Sequence, residues 1–231
     1  MDLAELEKNI NIKFKNKDLL RNAFIHRSYL NENSKEKLPS NERLEFLGDS
    51  VLSLVTSEYL YQKYEDRSEG DLTSFRASLV NSQALSKVAG KLGLGNHLYL
   101  SRGEEGTGGR SRQYLLANTL EALIGALYFD QGIKVAEKFI KKHILVYLNE
   151  IISNESYRDF KSRLQELAQE KHGITPTYKV LAEEGPDHAK KFTLGVMLQS
   201  KLLASGNGKS KQEAEQRAAQ EALESWNDSI E

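Results

Sequence analysis

Two acidic residues are conspicuous because the chain around them is apolar. Glu45 and Asp49 are the only charged residues between Leu44 and Ser57. Their four-residue spacing places both side chains on one face of a helix, about one turn apart. Holding like charges together on an apolar helix costs free energy, and a bound cation would offset that cost. The stretch therefore predicts part of a cation-binding site.

A second apolar stretch, residues 114–129, contains one charged residue, Glu121, and Asn118 lies three positions earlier on the same helical face. Oxygen ligands from two facing helices suit Mg²⁺ or Mn²⁺. Such an ion lowers the pKa of bound water and stabilises the charge on a reacting phosphodiester. The alternative is that each acid caps a loop or pairs with an arginine, such as Arg43 or Arg76. We favour the metal, because three acids share this apolar setting.

The sequence gives no indication of a site built from cysteine or from clustered histidines. The chain has no cysteine, which excludes disulfides, zinc–thiolate sites and a thiol nucleophile. Its five histidines, at positions 26, 97, 143, 172 and 188, do not have the spacing of a zinc site. His188 lies in a polar loop just before Lys190, where it is either functional or an ordinary exposed histidine.

A basic segment lies near the C-terminal end. Residues 189–211 contain five lysines and no acidic residue. Lys209 and Lys211 flank the start of a predicted helix, where free N–H groups and the helix dipole favour phosphate. A nucleotide-binding P-loop would need glycine at position 203, which is Leu203 here. On the lysines alone, a phosphate-binding surface and a solvated basic turn are equally compatible with the pattern.

Composition places the protein among ordinary globular chains. Its 231 residues are 39% hydrophobic and 28% charged, with a formal net charge of −1. This length fits one large domain or two small ones. The near-neutral charge means that any nucleic-acid binding must come from local patches. No run approaches the roughly 18 apolar residues of a membrane helix. The acidic, amphipathic first residues differ from a secretory signal, so we expect a cytoplasmic protein without membrane contact.

Apolar spacing predicts that residues 1–150 are all-helical. The expected helices are residues 3–10, residues 16–24 capped by Asn16, and a long helix from Ser40 as N-cap to about residue 64. Further helices are expected to start at Ser68 and at Asn81, and others span residues 114–129 and 139–148. We expect an exposed loop over residues 101–113, with residues 108–110 as a flexible connector in preference to a phosphate cradle. Residues 149–156 read as a linker.

The pattern changes after residue 157 and predicts an α-β-β-β-α order. A helix is expected over residues 160–172. Strands are expected over residues 177–182, 192–198 and 201–205, the last two joined by a tight hairpin at residues 199–200. A final helix capped by Ser210 presents an alanine-rich face. We therefore predict an all-α domain at residues 1–150, followed by a small α+β domain at residues 157–228.

Four motifs in a fixed order resemble those of the ribonuclease III family. The signature is the stretch from Asn41 to Ser50, NERLEFLGDS. The others are HRSY at residues 26–29, EGDL at residues 69–72 and LANTLEALIG at residues 116–125. Residues 157–226 resemble a double-stranded-RNA-binding domain. The resemblance covers nearly the whole chain and matches a bacterial-type enzyme with one nuclease and one binding domain.

The resemblance implies an endoribonuclease that cuts double-stranded RNA by metal-activated attack of water. It implies a homodimer in which each subunit's acidic cluster cuts one strand, leaving 5′-phosphate and 3′-hydroxyl ends with short 3′ overhangs. A role in rRNA and mRNA processing is implied, with Mg²⁺ as the cofactor and Mn²⁺ able to substitute. No small-molecule cofactor is expected.

Individual site residues follow from the resemblance by position. Glu45, Asp49, Asn118 and Glu121 match the metal site, with Glu45 and Glu121 holding the ion directly. The resemblance implies a catalytic set of four acids, Asp49, Glu121, Glu42 and Glu69. The last two match acids associated with the site at which the family processes RNA. Phe46 matches an aromatic residue that packs across the dimer interface.

The resemblance also implies how duplex RNA is held. The first-helix positions that touch the minor groove match Ser162, Gln165 and Glu166. His188 matches the loop residue that enters the next minor groove, with Lys190 on the same surface. Lys209 and Lys211 match lysines that contact phosphates across the major groove. Such binding reads the A-form shape over about 16 base pairs, with little sequence specificity.

One position departs from the family pattern. Asn118 stands where the family usually has aspartate, which removes one negative charge from the site. Two interpretations follow: an active enzyme with weaker metal affinity, or a double-stranded-RNA-binding dimer whose nuclease core cleaves slowly or not at all. We prefer the first, because Thr119 also departs from the commoner small apolar residue and suggests a co-adapted segment.

Overall fold

The computed structural model describes residues 3–153, 159–186 and 190–226. The chain forms two compact units, Met1–Tyr157 and Arg158–Glu231. The first is helical and the second combines helices with a sheet, so the predicted fold class is confirmed. Within the described part of the chain, no helix is long and apolar enough to cross a membrane.

The described part of the first unit contains ten α-helices. They are α1 (Leu3–Ile10), α2 (Lys17–Asn22), α3 (Arg27–Glu32), α4 (Glu42–Lys63), α5 (Glu69–Val80), α6 (Ser82–Lys91), α7 (Arg102–Gly106), α8 (Gln113–Gln131), α9 (Ile133–His143) and α10 (Leu148–Ser153). Short 3₁₀ turns lie at Leu94–His97, Gly109–Ser111 and Leu145–Tyr147. Helix α8 is the centre of the core, because most of its side chains are buried.

Most helix starts follow from local capping. The side chain of Asn16 accepts hydrogen bonds from two backbone N–H groups of α2, as predicted. Ser68 and Asn81 cap α5 and α6 in the same way. The prediction of Ser40 as the cap of α4 is wrong. Asn41 is the N-cap residue, and the Ser40 hydroxyl donates instead to the Glu42 carboxylate at 2.8 Å.

Two predicted irregular segments contain ordered helices. Residues 101–113 include α7, capped by Ser101, and the Arg110 guanidinium donates to the carbonyl oxygens of Gly95 at 3.0 Å and Leu98 at 2.9 Å. The interpretation of residues 108–110 as a flexible connector is therefore wrong. The single helix predicted over residues 139–148 is also wrong, because α9 ends at His143 and a 3₁₀ turn leads into α10. Helix α10 also occupies part of the predicted linker.

The second unit has the predicted α-β-β-β-α order. Helix α11 (Phe160–His172) precedes strands β1 (Thr177–Glu184), β2 (Lys191–Leu198) and β3 (Lys201–Gly208), and α12 (Lys211–Glu224) follows. The antiparallel sheet has the order β1-β2-β3, and its strands extend beyond the predicted ends.

Helix α12 packs closely on β3 because both surfaces carry small residues. A Cβ atom at Gly206 would lie 2.2 Å from the backbone nitrogen of Ala218, and one at Gly208 would lie 2.5 Å from that of Ala214. This contact fixes the start of α12, and hence Lys211, beside the end of the sheet.

Candidate functional site

Helices α4 and α8 cross so closely that two glycines are required at the contact. A Cβ atom at Gly48 would lie 1.7 Å from the carbonyl oxygen of Glu121, and one at Gly125 would lie 2.2 Å from that of Leu44. No real side chain tolerates such distances, so the backbones can meet only at glycine. The contact places Glu45 and Asp49 of α4 beside Asn118 and Glu121 of α8. The role of both glycines was not predicted from the sequence, although each lies inside one of the family motifs.

The four polar residues create an uncompensated negative site. Burial raises the pKa of the half-buried Glu121 to about 7, and the carboxylates of Asp49 and Glu45 add to the rise. Burial also raises the pKa of Glu45, as do Glu42 and Asp49 nearby, whereas a polar interaction with the Asn118 side chain lowers it. The neighbouring carboxylates thus make it harder for Glu45 and Glu121 to ionise.

Among the residues that the structure describes, no basic partner explains the position of these acids. In the described part of the chain, no lysine or arginine forms an ion pair with Glu45, Asp49 or Glu121, and Arg76 donates instead to the Ser57 hydroxyl at 2.9 Å. Pairing with arginine therefore does not account for these residues. A hard divalent cation fits a site of oxygen donors whose negative charges are unpaired.

The described acidic side chains do not form a ready-made metal cluster. Among the residues that the structure describes, no three His, Cys, Asp or Glu side chains lie close enough to hold a metal ion as they stand. The carboxylates would have to converge around the ion, which is expected of like charges that repel one another in its absence. The assignment of Glu45, Asp49, Asn118 and Glu121 as ligands stays a prediction.

The two further acids predicted for the catalytic set lie apart from each other. Glu42 is exposed, accepts from Ser40 and lies 3.8 Å from the Arg27 guanidinium. It lines a cavity of about 370 Å³ together with Glu45 and Asn118. Glu69 begins α5, where its carboxylate accepts from the Thr73 hydroxyl at 2.9 Å, and it does not line this cavity. Glu42 therefore shares this cavity with Glu45 and Asn118, whereas Glu69 does not line it, and neither do Asp49 and Glu121.

The same cavity is also lined by residues at the start of α3, in α7 and in the first turns of α8. The His26 Nδ1 atom lies 2.8 Å from the Ser28 hydroxyl oxygen, which also accepts from the Ser101 backbone N–H at 3.1 Å. Burial lowers the pKa of His26. The contact between Ser28 of the HRSY motif and Ser101 was not predicted from the sequence, because the two residues are 73 positions apart.

One face of α4 leaves large apolar side chains in water. Phe46 is 77% exposed, Leu54 61% and Tyr61 75%. Their positions fall on one helical face, away from the buried residues that contact α8. An exposed apolar stripe of this kind is typical of a protein–protein contact.

Three of the predicted RNA-contact residues of the second unit lie exposed on α11. Ser162, Gln165 and Glu166 lie on the outer surface of α11, and the Ser162 hydroxyl donates to Asp159 at 2.7 Å. Ser162 and Gln165 share a cavity of about 280 Å³, which Glu166 does not line. His188 lies outside the described residues.

Three predicted lysines surround the start of α12. Lys209 precedes the cap residue Ser210, and Lys211 is the first helical residue. Lys190 and Lys211 both approach the Glu183 carboxylate of β1, at 3.3 Å and 3.1 Å. The structure therefore brings together Lys190 and Lys211, which are 21 positions apart in the chain.

The two units combine a helical core bearing an acidic site with a module of the α-β-β-β-α class. Residues 16–148 match the family model for ribonuclease-III-like domains, and residues 160–225 match that for the double-stranded RNA binding motif. The chain belongs to the ribonuclease III family, and it is an endoribonuclease acting on double-stranded RNA.

Similar proteins span almost the whole chain. Ribonuclease 3 of Pelotomaculum thermopropionicum is 44% identical over 221 residues, covering 96% of this chain and 92% of that protein. Ribonuclease 3 of Bacillus velezensis is 47% identical over 219 residues, covering 95% of this chain and 88% of that protein. A solved nuclease domain of ribonuclease III from Campylobacter jejuni is 40% identical with a TM-score of 0.58, covering 62% of this chain and 96% of that one.

Proposed function

We propose that the protein cleaves both strands of duplex RNA, each at an acidic site between α4 and α8, in a reaction that depends on Mg²⁺, with Mn²⁺ able to substitute. The products are short duplexes with 5′-phosphate and 3′-hydroxyl ends and short 3′ overhangs. The supporting observation is the group of unpaired acids on facing helices, in which burial and like charge raise the pKa of Glu121 to about 7. A dication would offset that cost.

Four side chains would hold the ion: Glu45 and Glu121 directly, with Asp49 and Asn118 completing the site. When bound, the ion supplies a water of lowered pKa and a positive charge opposite the reacting phosphate. The close contact of α4 and α8 at Gly48 and Gly125 would keep these four side chains near one another. In the proposed site, the Asn118 amide supplies a neutral oxygen, so metal affinity is lower than with a fourth carboxylate. Glu42 lies beside these four side chains. Glu69, which belongs to α5, acts at the site where the RNA is processed.

The active species in this proposal is a homodimer formed through the apolar stripe of α4. Phe46, Leu54 and Tyr61 provide the exposed apolar surface. The related Campylobacter jejuni structure is described as having a flexible region involved in dimer formation of its nuclease domain, which supports this part. A dimer brings two acidic sites to one duplex, one for each strand.

RNA is held by the exposed face of α11 and the lysines around α12. Ser162, Gln165 and Glu166 contact one minor groove, and Lys209 and Lys211 contact phosphates across the major groove.

Replacing Lys209 and Lys211 together with alanine should weaken duplex binding and reduce the salt slope by about two, since each lost phosphate contact removes about 0.9. Fluorescence anisotropy at several salt concentrations measures both quantities, and an unchanged slope would remove these lysines from the proposed RNA face.

The cellular part of the proposal is rRNA and mRNA processing in the cytoplasm. The order of a nuclease unit and a double-stranded-RNA-binding unit supports the substrate class, and the lack of cysteine is compatible with a reducing compartment.

The test is digestion of long duplex RNA across titrations of Mg²⁺ and Mn²⁺. The proposal expects short duplexes with either ion and intact RNA in EDTA. End analysis should find 5′-phosphates, 3′-hydroxyls and 3′ overhangs. RNA that stays intact with both ions would overturn the proposed cleavage.

A second candidate function is a duplex-binding dimer with little cleavage, and it rests on Asn118. Asn118→Asp restores the fourth carboxylate and separates the two functions. Similar cleavage rates in the parent and the variant, with a lower half-saturating Mg²⁺ concentration in the variant, support the enzyme. Cleavage that appears only in the variant supports the binding function.

A further inference from the structure

A carboxylate lies between two lysines of the proposed RNA-binding surface. The Glu183 side chain is 3.1 Å from the Lys211 ammonium nitrogen and 3.3 Å from that of Lys190. All three side chains remain partly accessible to solvent, with exposures of 34% for Glu183, 55% for Lys211 and 35% for Lys190. An approaching phosphate can therefore reach both ammonium groups, and it meets Glu183 at the same place.

The fold fixes this arrangement. Glu183 pairs with Phe192 across strands β1 and β2, and the Lys211 ammonium lies 5.6 Å from the centre of the Phe192 ring. Close packing of α12 on β3 sets the position of Lys211 at the first turn of its helix. Glu183 is therefore not a chance surface neighbour, because strand register and helix packing both place it between the lysines.

A second carboxylate acts at the same helix start. Glu213 accepts a hydrogen bond from the Lys209 backbone N–H at 2.8 Å and lies 2.8 Å from the Arg217 guanidinium. Hence the ammonium groups of Lys190 and Lys211 and the backbone N–H group of Lys209 are each engaged by an internal acid. These donors are of the kind that hold phosphate at helix starts.

We propose that Glu183 competes internally with RNA phosphate for Lys190 and Lys211 and thereby limits the affinity of the binding unit for duplex RNA. This inference rests on the proposed role of the two lysines in RNA binding. In the free protein, the group of three side chains carries one net positive charge instead of two. Binding of a phosphate requires that the Glu183 carboxylate give up at least one ammonium group.

The expected effect follows from counterion release. If removal of the carboxylate frees one lysine for one additional phosphate contact, the salt slope of binding steepens by about 0.9. If the variant and the parent bind equally at about 1 M salt, this slope difference makes the variant bind about eightfold more tightly at about 0.1 M salt. At about 0.5 M salt, the variant binds about twofold more tightly. A carboxylate that merely contributed to overall charge would have a smaller effect.

The experiment measures duplex RNA binding by the full chain in EDTA, which prevents metal-dependent cleavage, over a series of salt concentrations. Glu183→Gln keeps the side-chain size and removes the charge. Glu184→Gln is the matched control, because it makes the same charge change one residue later on β1 while leaving both ion pairs of Glu183 in place. Lys211→Ala tests the underlying RNA surface.

The inference expects tighter binding and a steeper slope for Glu183→Gln, and less than twofold change for Glu184→Gln. Equal effects of the two glutamine variants, no effect, or weaker binding by Glu183→Gln would overturn it. If Lys211→Ala weakens binding while Glu183→Gln does not tighten it, only this inference fails. If Lys211→Ala leaves binding unchanged, the proposed RNA surface is itself wrong.

Discussion

Replacing Glu121 with glutamine should stabilise the metal-free protein while removing cleavage. The folded chain holds this carboxyl half-buried beside Asp49 and Glu45, which raises its pKa from 4.5 to about 7. Glutamine has nearly the same shape and carries no charge, so it removes the repulsion without leaving a cavity. If a site is arranged to bind a cation, removing one of its charged side chains is expected to stabilise the metal-free fold.

The size and pH range of the effect follow from linkage. Below pH 4.5 the carboxyl is protonated in both the folded and unfolded chain, so the substitution changes little. As the pH rises from 4.5 to 7, the unfolded chain ionises first and the folded state loses stability. Above pH 7 the full penalty applies, at most about 3 kcal/mol from 1.36 kcal/mol per pKa unit. Because the side chain is only half-buried, solvent screening reduces this to about 1–2 kcal/mol.

Thermal unfolding followed by circular dichroism measures the gain. In EDTA at about pH 8, Glu121→Gln should unfold about 3–6 °C above the parent, and at about pH 4, where the carboxyl is mostly protonated in both states, the two should nearly agree. Glu58→Gln is the matched control, because Glu58 is an exposed acid on α4. Adding Mg²⁺ should stabilise the parent more than the variant, since a ligand that binds only the folded state raises its stability. An equal or lower Tm for Glu121→Gln at pH 8, with no pH dependence, would refute the reasoning.

Two further predictions concern packing and assembly. Gly48→Ala places a Cβ atom 1.7 Å from the Glu121 carbonyl oxygen, so we expect a loss of about 3 kcal/mol or more in chemical denaturation. Gly90→Ala is the control: a Cβ atom there meets nothing within 4 Å, and it should be neutral or stabilising by up to about 1 kcal/mol. Phe46→Glu should weaken self-association by about tenfold or more in analytical ultracentrifugation, whereas Val146→Glu at another exposed apolar position should not; equal effects would argue against the α4 stripe as the interface.

The features that the sequence predicted well depend on neighbouring residues. Asn16, Ser68 and Asn81 cap their helices because a side-chain oxygen two or three residues away satisfies a free N–H group. The burial of α8 followed from its uniformly apolar composition. The predicted hairpin at Gln199 was also confirmed, and this residue has the positive φ of 53° that a tight turn uses.

The errors arose where distant residues decide the local structure. Helix α7 and the turn after it are held by Arg110, which bonds to carbonyl groups 12 and 15 residues away. A composition rich in Gly, Arg and Glu cannot reveal such contacts. Helix α10 lies in a stretch that is mostly polar, but Leu148 is buried and Ile151 and Ile152 pack against the core.

The acids of the candidate site were predictable as residues, but their surroundings were not. Glu45, Asp49 and Glu121 were conspicuous because each is a charge in an apolar stretch. The glycine contact that places them together depends on the crossing of two helices about 75 positions apart in the chain. The same limit applies to Glu183, whose ion pairs with Lys190 and Lys211 depend on strand register and helix packing.

The central claim is that the acids between α4 and α8 cleave duplex RNA with a divalent ion. The most direct measurement is single-turnover digestion of end-labelled duplex RNA by the parent chain and by Glu121→Gln at equal saturating protein concentration in Mg²⁺. The parent should convert the duplex to short fragments with 3′ overhangs, while the variant binds the same RNA and leaves it intact. Equal rates and identical products from both proteins would contradict the claim.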